Sequence, residues 1–372
     1  MSAHTFYLKP VDTFFFKGQQ ISEAGNDNNM FGIFPPRPNT VYGALRSAYI
    51  HEHIPFYEFE QETNLEVKKW MGTPRSLGDF RVTYCGLTYE NDLLFPLPLD
   101  YQVIEKDEKL QAYPLQLVCD DMPSSHNTGW LLTSKIKEKS KSSTNLFMKR
   151  NDWKRNILST SPVDHLYKLT DLVTFENKTG IALDYEKRTS KSSYFYQMNY
   201  LRFLNDSSLY VYSPISPDFD NIHLVRLGGE NRPWILEQKE ETFKLWNKDE
   251  LNILKQKILQ SGIAKIILLS PAIWENGSRP KSYDGNTVIL PNGMKVKLLT
   301  AAIGRPTLYG GWDIVHHRPK KRYYMVPEGS VLYVHVHKDQ VDNMIELANG
   351  FSFSDYGNQE GFGFAVVAPV QH

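Results

Sequence analysis

The side chains that could do chemistry lie in a few short stretches. The first is Phe34-Pro35-Pro36-Arg37-Pro38-Asn39-Thr40-Val41-Tyr42-Gly43-Ala44-Leu45-Arg46. Pro36 and Pro38 fix their own φ angles and hold Pro35 and Arg37 extended. Asn39 or Thr40 is placed to cap a helix, and Val41, Ala44, Leu45, Ala48 and Tyr49 then form one apolar stripe. Arg46 and Tyr42 lie off that stripe. A capped helix start beside arginines is a seat for a phosphate. An ordinary amphipathic helix with a solvated arginine fits the local pattern at least as well.

A glycine-rich loop, Gly357-Asn358-Gln359-Glu360-Gly361-Phe362-Gly363, precedes a terminal strand. Gly361 and Gly363 lack the Cβ that would keep backbone N–H groups away from a phosphate. No helix follows, so this is no dinucleotide fingerprint, and a tight turn is the plain alternative. Gly310-Gly311-Trp312-Asp313 leads to Arg318-Pro319-Lys320-Lys321-Arg322, where Trp312 could stack on an unpaired base and the cations track a backbone. Lys187, Arg188 and Lys191 are interleaved with Tyr194, Phe195, Tyr196 and Tyr200. Of the histidines, His335 and His337 would share one strand face, but no further ligand stands at a diagnostic spacing. No metal or cofactor is expected. No nucleophile elbow, phosphate-binding Walker loop or paired-carboxylate signature is present.

The 372 residues favour two domains. Hydrophobic residues make up 41% and charged residues 23%, and the two cysteines build neither a disulfide framework nor a zinc site. No apolar run is long enough to span a bilayer, and the expected location is cytoplasmic. The 42 basic and 42 acidic residues cancel, which disfavours an indiscriminate nucleic-acid binder. The charges are segregated, however. Residues 50–121 hold 14 acidic and 6 basic side chains, while residues 130–155 hold 8 basic and 2 acidic, and residues 295–322 hold 7 basic and 1 acidic. Such surfaces could face an anion and a basic partner at once.

The elements that must position these residues follow from periodicity. His4–Leu8 and Thr13–Phe16 read as a strand and its continuation, the segment from Thr40 through Tyr49 as a helix with His51 and His53 just after it, Glu58–Met71 as a second helix, and Phe80–Tyr89 with Leu93–Phe95 as a hairpin. Residues 134–145, rich in lysine and serine, read as disordered. Residues 185–203 and Leu209–Tyr212 read as a hairpin arm turning at Asn205–Ser208. Asn247 and Glu250 form a capping box for a helix ended by Gly262. Ile263–Leu269 reads as a buried strand, Val288–Leu299 as a hairpin around Asn292-Gly293, Val331–His337 as a strand, Lys338–Ala348 as a helix, and Gly363–Val367 as the last strand. The order predicts an α+β fold of two ferredoxin-like (RRM-like) β-α-β-β-α-β domains with inserted hairpins and loops, 1–225 and 226–372.

Taken in order, Pro10-x-Asp12-x-x-Phe15, the Pro35-to-Arg46 segment, Leu227-Gly228-Gly229-Glu230-x-Arg232, Gly311-Trp312-Asp313 with Arg318-Pro319, and Gly361-Phe362-Gly363 span almost the whole chain. This series resembles the third RAMP subunit of type III-B CRISPR (Cmr) effector complexes. The resemblance implies a non-catalytic subunit that holds the 5′ tag of the CRISPR RNA. It also implies docking to the large polymerase-palm subunit and to the backbone RAMP subunit. On that reading Arg37, Asn39, Thr40 and Arg46 meet phosphates at the helix start, and Gly361 and Gly363 cradle another. Arg305, Trp312 and Arg318 lie near the cleft between domains. The cations Lys187, Arg188 and Lys191, assigned from charge and aromatic interleaving alone, belong to a thumb that covers the strand.

Three alternatives stay open. One is a CRISPR-RNA processing endoribonuclease of the same superfamily, with His51 or His53 as general acid or base. Another is the tag-binding RAMP subunit of a type III-A complex, and the third is a protein scaffold that makes no RNA contact.

Overall fold

Strands Ser2–Pro10, Tyr84–Tyr89, Asp92–Pro96 and Ser208–Ser216 carry two alternating sets of apolar side chains, and this alternation sets the architecture. Phe6, Leu8, Leu87, Leu94, Leu209 and Val211 pack in the core beneath the first helix. Tyr84, Leu93, Phe95, Tyr210 and Tyr212 point the other way, into a second core shared with the C-terminal sheet. A sheet covered on both faces needs apolar residues at both parities. The computed structural model describes residues 2–18, 29–30, 32–119, 129–184, 188–313 and 318–370, and it is mixed α+β with sheet predominating.

The N-terminal sheet runs Tyr167–Lys168, Leu146–Lys149, Asp92–Pro96, Tyr84–Tyr89, Ser208–Ser216, Ser2–Pro10, Pro233–Glu240, Leu224–Arg226. The C-terminal sheet runs Thr287–Ile289, Lys295–Ala302, Val331–His335, Ile263–Leu268, Phe364–Pro369, Phe351–Ser352. Four adjacent strands in each, Tyr84–Tyr89, Ser208–Ser216, Ser2–Pro10 and Pro233–Glu240 in the first and Lys295–Ala302, Val331–His335, Ile263–Leu268 and Phe364–Pro369 in the second, lie in the order second, third, first, fourth along the chain, with every pairing antiparallel. The N-terminal sheet has helix Pro38–His53, followed by two short helices, between its first and second strands, and the C-terminal sheet has Val341–Glu346 between its third and fourth. In place of the other expected helices, 217–232 carries a short strand and a 3-10 turn, 269–294 carries short strands, and helix Lys248–Ser261 precedes the first C-terminal strand.

The expected division at 225/226 falls inside a ladder, because Leu224–Arg226 pairs with Pro233–Glu240 and the latter pairs with Ser2–Pro10. The N-terminal sheet is complete only at Glu240. The second predicted helix is broken into Phe56–Glu60 and Leu65–Met71, where Glu62 turns left-handed at φ 56° and the Asn64 side chain caps Val67 N–H at 3.0 Å. Thr13–Phe16 does not continue the first strand. Beyond Pro10 it is irregular, joined by a Phe14–Leu201 bridge. The thumb is a hairpin of Val173–Asp184 with Thr189–Phe203, not of 185–203 with 209–212; Ser208–Ser216 belongs to the central sheet. Residues 134–145 lack regular strands or helices but lie against Tyr101–Lys106, with Lys141 N–H donating to Val103 O at 2.8 Å and Gln102 Nε2 to Glu138 O at 2.9 Å. The capping box forms as read, with Asn247 and Glu250 exchanging bonds of 2.8 and 2.9 Å.

One charge hides in the buried strand Ile263–Leu268. Lys265 Nζ pairs with Asp100 Oδ2 at 2.8 Å, both side chains being at most 2% exposed. Tyr333 Oη donates to the same oxygen at 2.7 Å. Asp100 comes from the N-terminal half of the chain and Lys265 from the C-terminal sheet, so the pair fixes one against the other. Breaking a buried pair leaves an uncompensated charge, at a cost of about 3–5 kcal/mol. Asp100→Ala is therefore expected to lower unfolding stability by about that amount in urea titration, with the Asp100→Leu/Lys265→Met pair recovering most of the loss. A single-variant loss under about 1 kcal/mol would remove the pair from the account.

Candidate nucleic-acid interface

The first helix begins at Pro38, not Asn39 or Thr40, with Arg37 at the N-cap and no side-chain cap. Proline at the first helical position sacrifices an N–H that has no partner anyway. Asn39 lies inside the helix, its Oδ1 buried without a hydrogen-bond partner, and Thr40 is exposed. The proline turn and helix start meet the glycine loop of the C-terminal half. Val82 N–H donates to Gln359 O at 3.0 Å, and Gln359 Nε2 donates to Phe80 O at 2.9 Å and to Gly78 O. Gly361, at φ 96°, is pressed so close that a Cβ would sit 3.0 Å from Pro38 Cβ and 3.2 Å from Val82.

That contact changes what the loop glycines do. The N–H of Gly363 donates to Pro271 O at 2.8 Å, and those of Glu360 and Phe362 donate to Gly357 O at 2.9 and 3.2 Å. These donors are taken up by carbonyls of the loop and of Pro271, so the expected phosphate cradle is not formed by them. Gly361 instead lets the loop press on Pro38 and Val82 across the seam, and Gly363 lets it pass close to Phe353 and Ser354 within the C-terminal half.

Arg46 is also reassigned. Its Nε donates to Met71 O at 2.7 Å and its Nη2 to Thr73 O at 2.6 Å and Ser76 O at 3.4 Å. A planar guanidinium suits several fixed carbonyls, and here it organises the 71–76 turn in place of the expected phosphate. Arg37 differs. Its Nη2 donates to Leu308 O at 3.2 Å and its guanidinium lies 5.3 Å from the Tyr309 ring centre, half-buried at the edge of the seam. Tyr309 in turn meets the Phe362 ring edge-on at 5.2 Å. Arg37, Tyr309 and the glycine loop thus form one cluster, and the strand carrying Tyr309 had no signal beyond its local Thr-Leu-Tyr.

Arg305 and Arg318 are exposed, and Lys320, Lys321 and Arg322 extend an exposed basic turn after the Trp312–Asp313/Arg318–Pro319 pairing. Lys320 N–H donates to Gly311 O at 2.8 Å. Its charge reaches Glu360, whose carboxyl is raised by burial and lowered in part by Lys320 and Arg46. The Trp312 and Lys191 side chains and the whole of Lys187 lie outside the described residues. Arg188 is exposed at the tip of the thumb hairpin, left-handed at φ 52°.

Two landmarks whose role the sequence did not reveal anchor that thumb. Asp12 Oδ1 accepts from Arg202 Nη2 at 2.9 Å, and Arg202 also pairs with Glu176 at 2.8 Å, tying the two thumb strands to the segment after the first strand. Arg232 pairs with Glu230 at 2.8 Å. Arg232 and Lys178 each lie 4.9 Å from the centre of the Tyr200 ring. Gly229 N–H donates to Phe15 O at 2.7 Å.

A cavity of about 280 Å³ opens under the proline turn, bounded by Phe34, Arg37, Leu94, Val211, Met325 and Glu328. The histidines lie elsewhere. His53 stacks on Tyr49 at 4.0 Å and its Nδ1 meets Tyr49 O at 2.9 Å, and His51 stacks on Phe56. His335 and His337 contact each other at 4.8 Å between ring centres. Among the described residues no cluster of three or more His, Cys, Asp or Glu could hold a metal, and no helix is long and apolar enough to cross a membrane.

The mixed α+β, sheet-dominated fold is compatible with the RAMP subunits of CRISPR effector complexes, and the family match assigns the chain to that class. It belongs to the family described as CRISPR-associated protein (Cas_Cmr3), which it matches over residues 6–371. It is accordingly a subunit of a type III CRISPR effector complex. Similar solved structures include a type III-B Cmr-beta complex bound to cognate target RNA and AMPPnP, at 17% identity, covering 92% of this chain and 88% of that one with a TM-score of 0.47. A second type III-B Cmr-beta structure bound to cognate target RNA gives 17% identity, 88% and 86% coverage and a TM-score of 0.47. A Csm3-Csm4 subcomplex of the type III-A interference complex gives 13% identity, 99% and 100% coverage and a TM-score of 0.38. No curated protein sequence matches the chain.

The two arginines should separate on substitution. Arg46→Ala removes three carbonyl contacts and is expected to cost about 1–3 kcal/mol, with faster hydrogen exchange confined to Met71–Ser76. Arg37→Ala should leave that exchange unchanged. Equal exchange in Arg46→Ala and wild type would deny Arg46 its organising role.

Proposed function

We propose that the chain is a non-catalytic RNA-holding subunit of a type III-B complex. It grips the 5′ tag of the CRISPR RNA and docks to the large polymerase-palm subunit and to the backbone RAMP subunit. Its two sheets are ferredoxin-like units, each reduced to one crossover helix in the expected place. The observation that carries the reading is the meeting of Arg37, Tyr309 and the glycine loop at the seam, beside the exposed Arg318–Arg322 turn. A cation over an aromatic face next to exposed basic residues suits a single strand, with the charges placed for phosphates. A neutral protein with such a local surface holds one defined strand without coating duplexes indiscriminately.

The nuclease reading receives less support, because His53 Nδ1 is engaged by Tyr49 O and neither His51 nor His53 borders the cavity at the seam. The test is assembly of the full complex on a guide carrying a photoreactive 5′ tag. This chain is expected to be the labelled subunit. Arg37→Ala should reduce guide retention about tenfold and lower the salt slope of binding by about one. Labelling confined to other subunits would overturn the reading. So would metal-independent cleavage of repeat RNA by the isolated chain that disappears in His51→Ala or His53→Ala.

A further inference from the structure

We propose that Asn276 is a site of spontaneous modification, losing its side-chain amide to give a mixture of aspartate and isoaspartate, and that the fold protects the two other Asn-Gly pairs of the chain. The inference stands apart from the RNA-holding function.

Asparagine before glycine is prone to this reaction because no Cβ on the glycine shields its backbone nitrogen. The chain holds three such pairs, Asn276-Gly277, Asn292-Gly293 and Asn349-Gly350. Their backbones do not tell them apart. Gly277 N–H donates to Trp274 O at 3.1 Å, Gly293 N–H to Leu290 O at 2.9 Å and Gly350 N–H to Leu347 O at 3.1 Å, so each glycine closes a turn on the carbonyl three residues back. The side chains differ. Asn292 is held at both ends, its Nδ2 donating to Asn343 O at 3.1 Å and its Oδ1 accepting from Met294 N–H at 3.2 Å. Asn349 Oδ1 accepts from Trp246 N–H at 2.7 Å, and Gly350 packs against the Phe364 ring. Asn276 is exposed, its amide makes no hydrogen bond among the described residues, and the space around Gly277 is open. Asp284-Gly285 could close the same ring, but its carboxylate is held by the N–H groups of Asn286 and Thr287 and by Thr287 Oγ1. The side chain must turn its Cγ onto the next nitrogen, and each bond of typical net strength slows that turn by about two- to twelvefold.

The Gly277 nitrogen gives up its proton and attacks Asn276 Cγ. The new N–Cγ bond forms as the Cγ–Nδ2 bond breaks, and Nδ2 leaves as ammonia carrying that proton. Water then opens the cyclic imide. Opening at Cγ restores the ordinary main chain with an aspartate, and opening at the main-chain carbonyl leaves the chain linked through Cγ as isoaspartate. Amide and water thus become carboxylate and ammonium, with no oxidant or reductant. The new carboxylate stands beside Glu275, which pairs with Lys281 at 3.4 Å. Asp355 Oδ2 accepts from Glu275 N–H at 2.8 Å and from Lys281 N–H at 2.7 Å, closing off the segment that holds the modified residue. The extra main-chain atom of isoaspartate falls inside that closed segment.

The test incubates the full chain in warm neutral buffer and follows each Asn-Gly pair by peptide mass spectrometry, with isoaspartate read by enzymatic carboxyl methylation. Asn276 is expected to convert at least about fivefold faster than Asn292 or Asn349, to give more isoaspartate than aspartate, and to convert faster as pH rises. In guanidinium chloride, where the protecting bonds are lost, the three rates should come within about threefold of one another. Asn276→Gln should abolish the early acidic form on ion exchange, and Asn276→Asp should comigrate with the aspartyl fraction of the aged chain. Equal native rates, or earlier conversion of Asn292 or Asn349, would overturn the assignment. The same spread of rates in guanidinium chloride would overturn protection by the fold. Aspartate formed without isoaspartate would overturn the imide step.

Discussion

Everything in this molecule depends on a polar seam drawn through apolar surroundings. The N-terminal sheet buries both faces, and the second face is covered by Trp153 and Phe243 together with residues of the C-terminal sheet. Apolar contact alone is tolerant of sliding, since it scales with area and has little direction. Direction comes from the Val82–Gln359 backbone bond, the Gln359 amide on the Phe80 carbonyl, the close approach at Gly361 and the buried Lys265–Asp100 pair. These contacts set the register between the two halves, and the Arg37–Tyr309 cluster inherits its geometry from that register.

Much of this frame was legible locally. The Asn247/Glu250 box, the Asn292-Gly293 hairpin and the first helix after the proline turn all depend on neighbours a few residues apart, and the structure shows each of them. The parts that were not legible depend on distant partners. Arg46 looks like a phosphate ligand until three carbonyls between 25 and 30 residues away occupy it. Lys265 is indistinguishable from a solvated lysine until Asp100 is seen beside it. The thumb strand Thr189–Phe203 finds its partner upstream, because the downstream segment is claimed by the first strand of the central sheet. Local pattern identified the glycine loop but could not show that the N–H groups of Glu360, Phe362 and Gly363 are taken up by Gly357 O and Pro271 O.

The family landmarks gain a physical reading from the structure. Asp12 and the Glu230-x-Arg232 motif, remote in sequence, converge at the base of the thumb, where Arg202 and Tyr200 receive them. Gly228 is needed there because a Cβ would come within 2.6 Å of Phe15 O at φ 86°. One pair of landmarks thus fixes the thumb and another fixes the seam, so the signature records the joints of the molecule more than its contacts with a ligand.

The position of the glycine loop near the chain's end has a consequence for biogenesis. Residues 357–363 emerge from the ribosome after nearly everything else, yet they close against Phe80 and Val82. Until then Trp153 and Phe243 already cover part of the tyrosine and phenylalanine face of the first sheet, but Phe364 is missing from its place on Tyr84, and the backbone bonds at Phe80 and Val82 stay open. A product released just short of this loop would therefore hold most of its structure but leave the joint between its two halves unfastened.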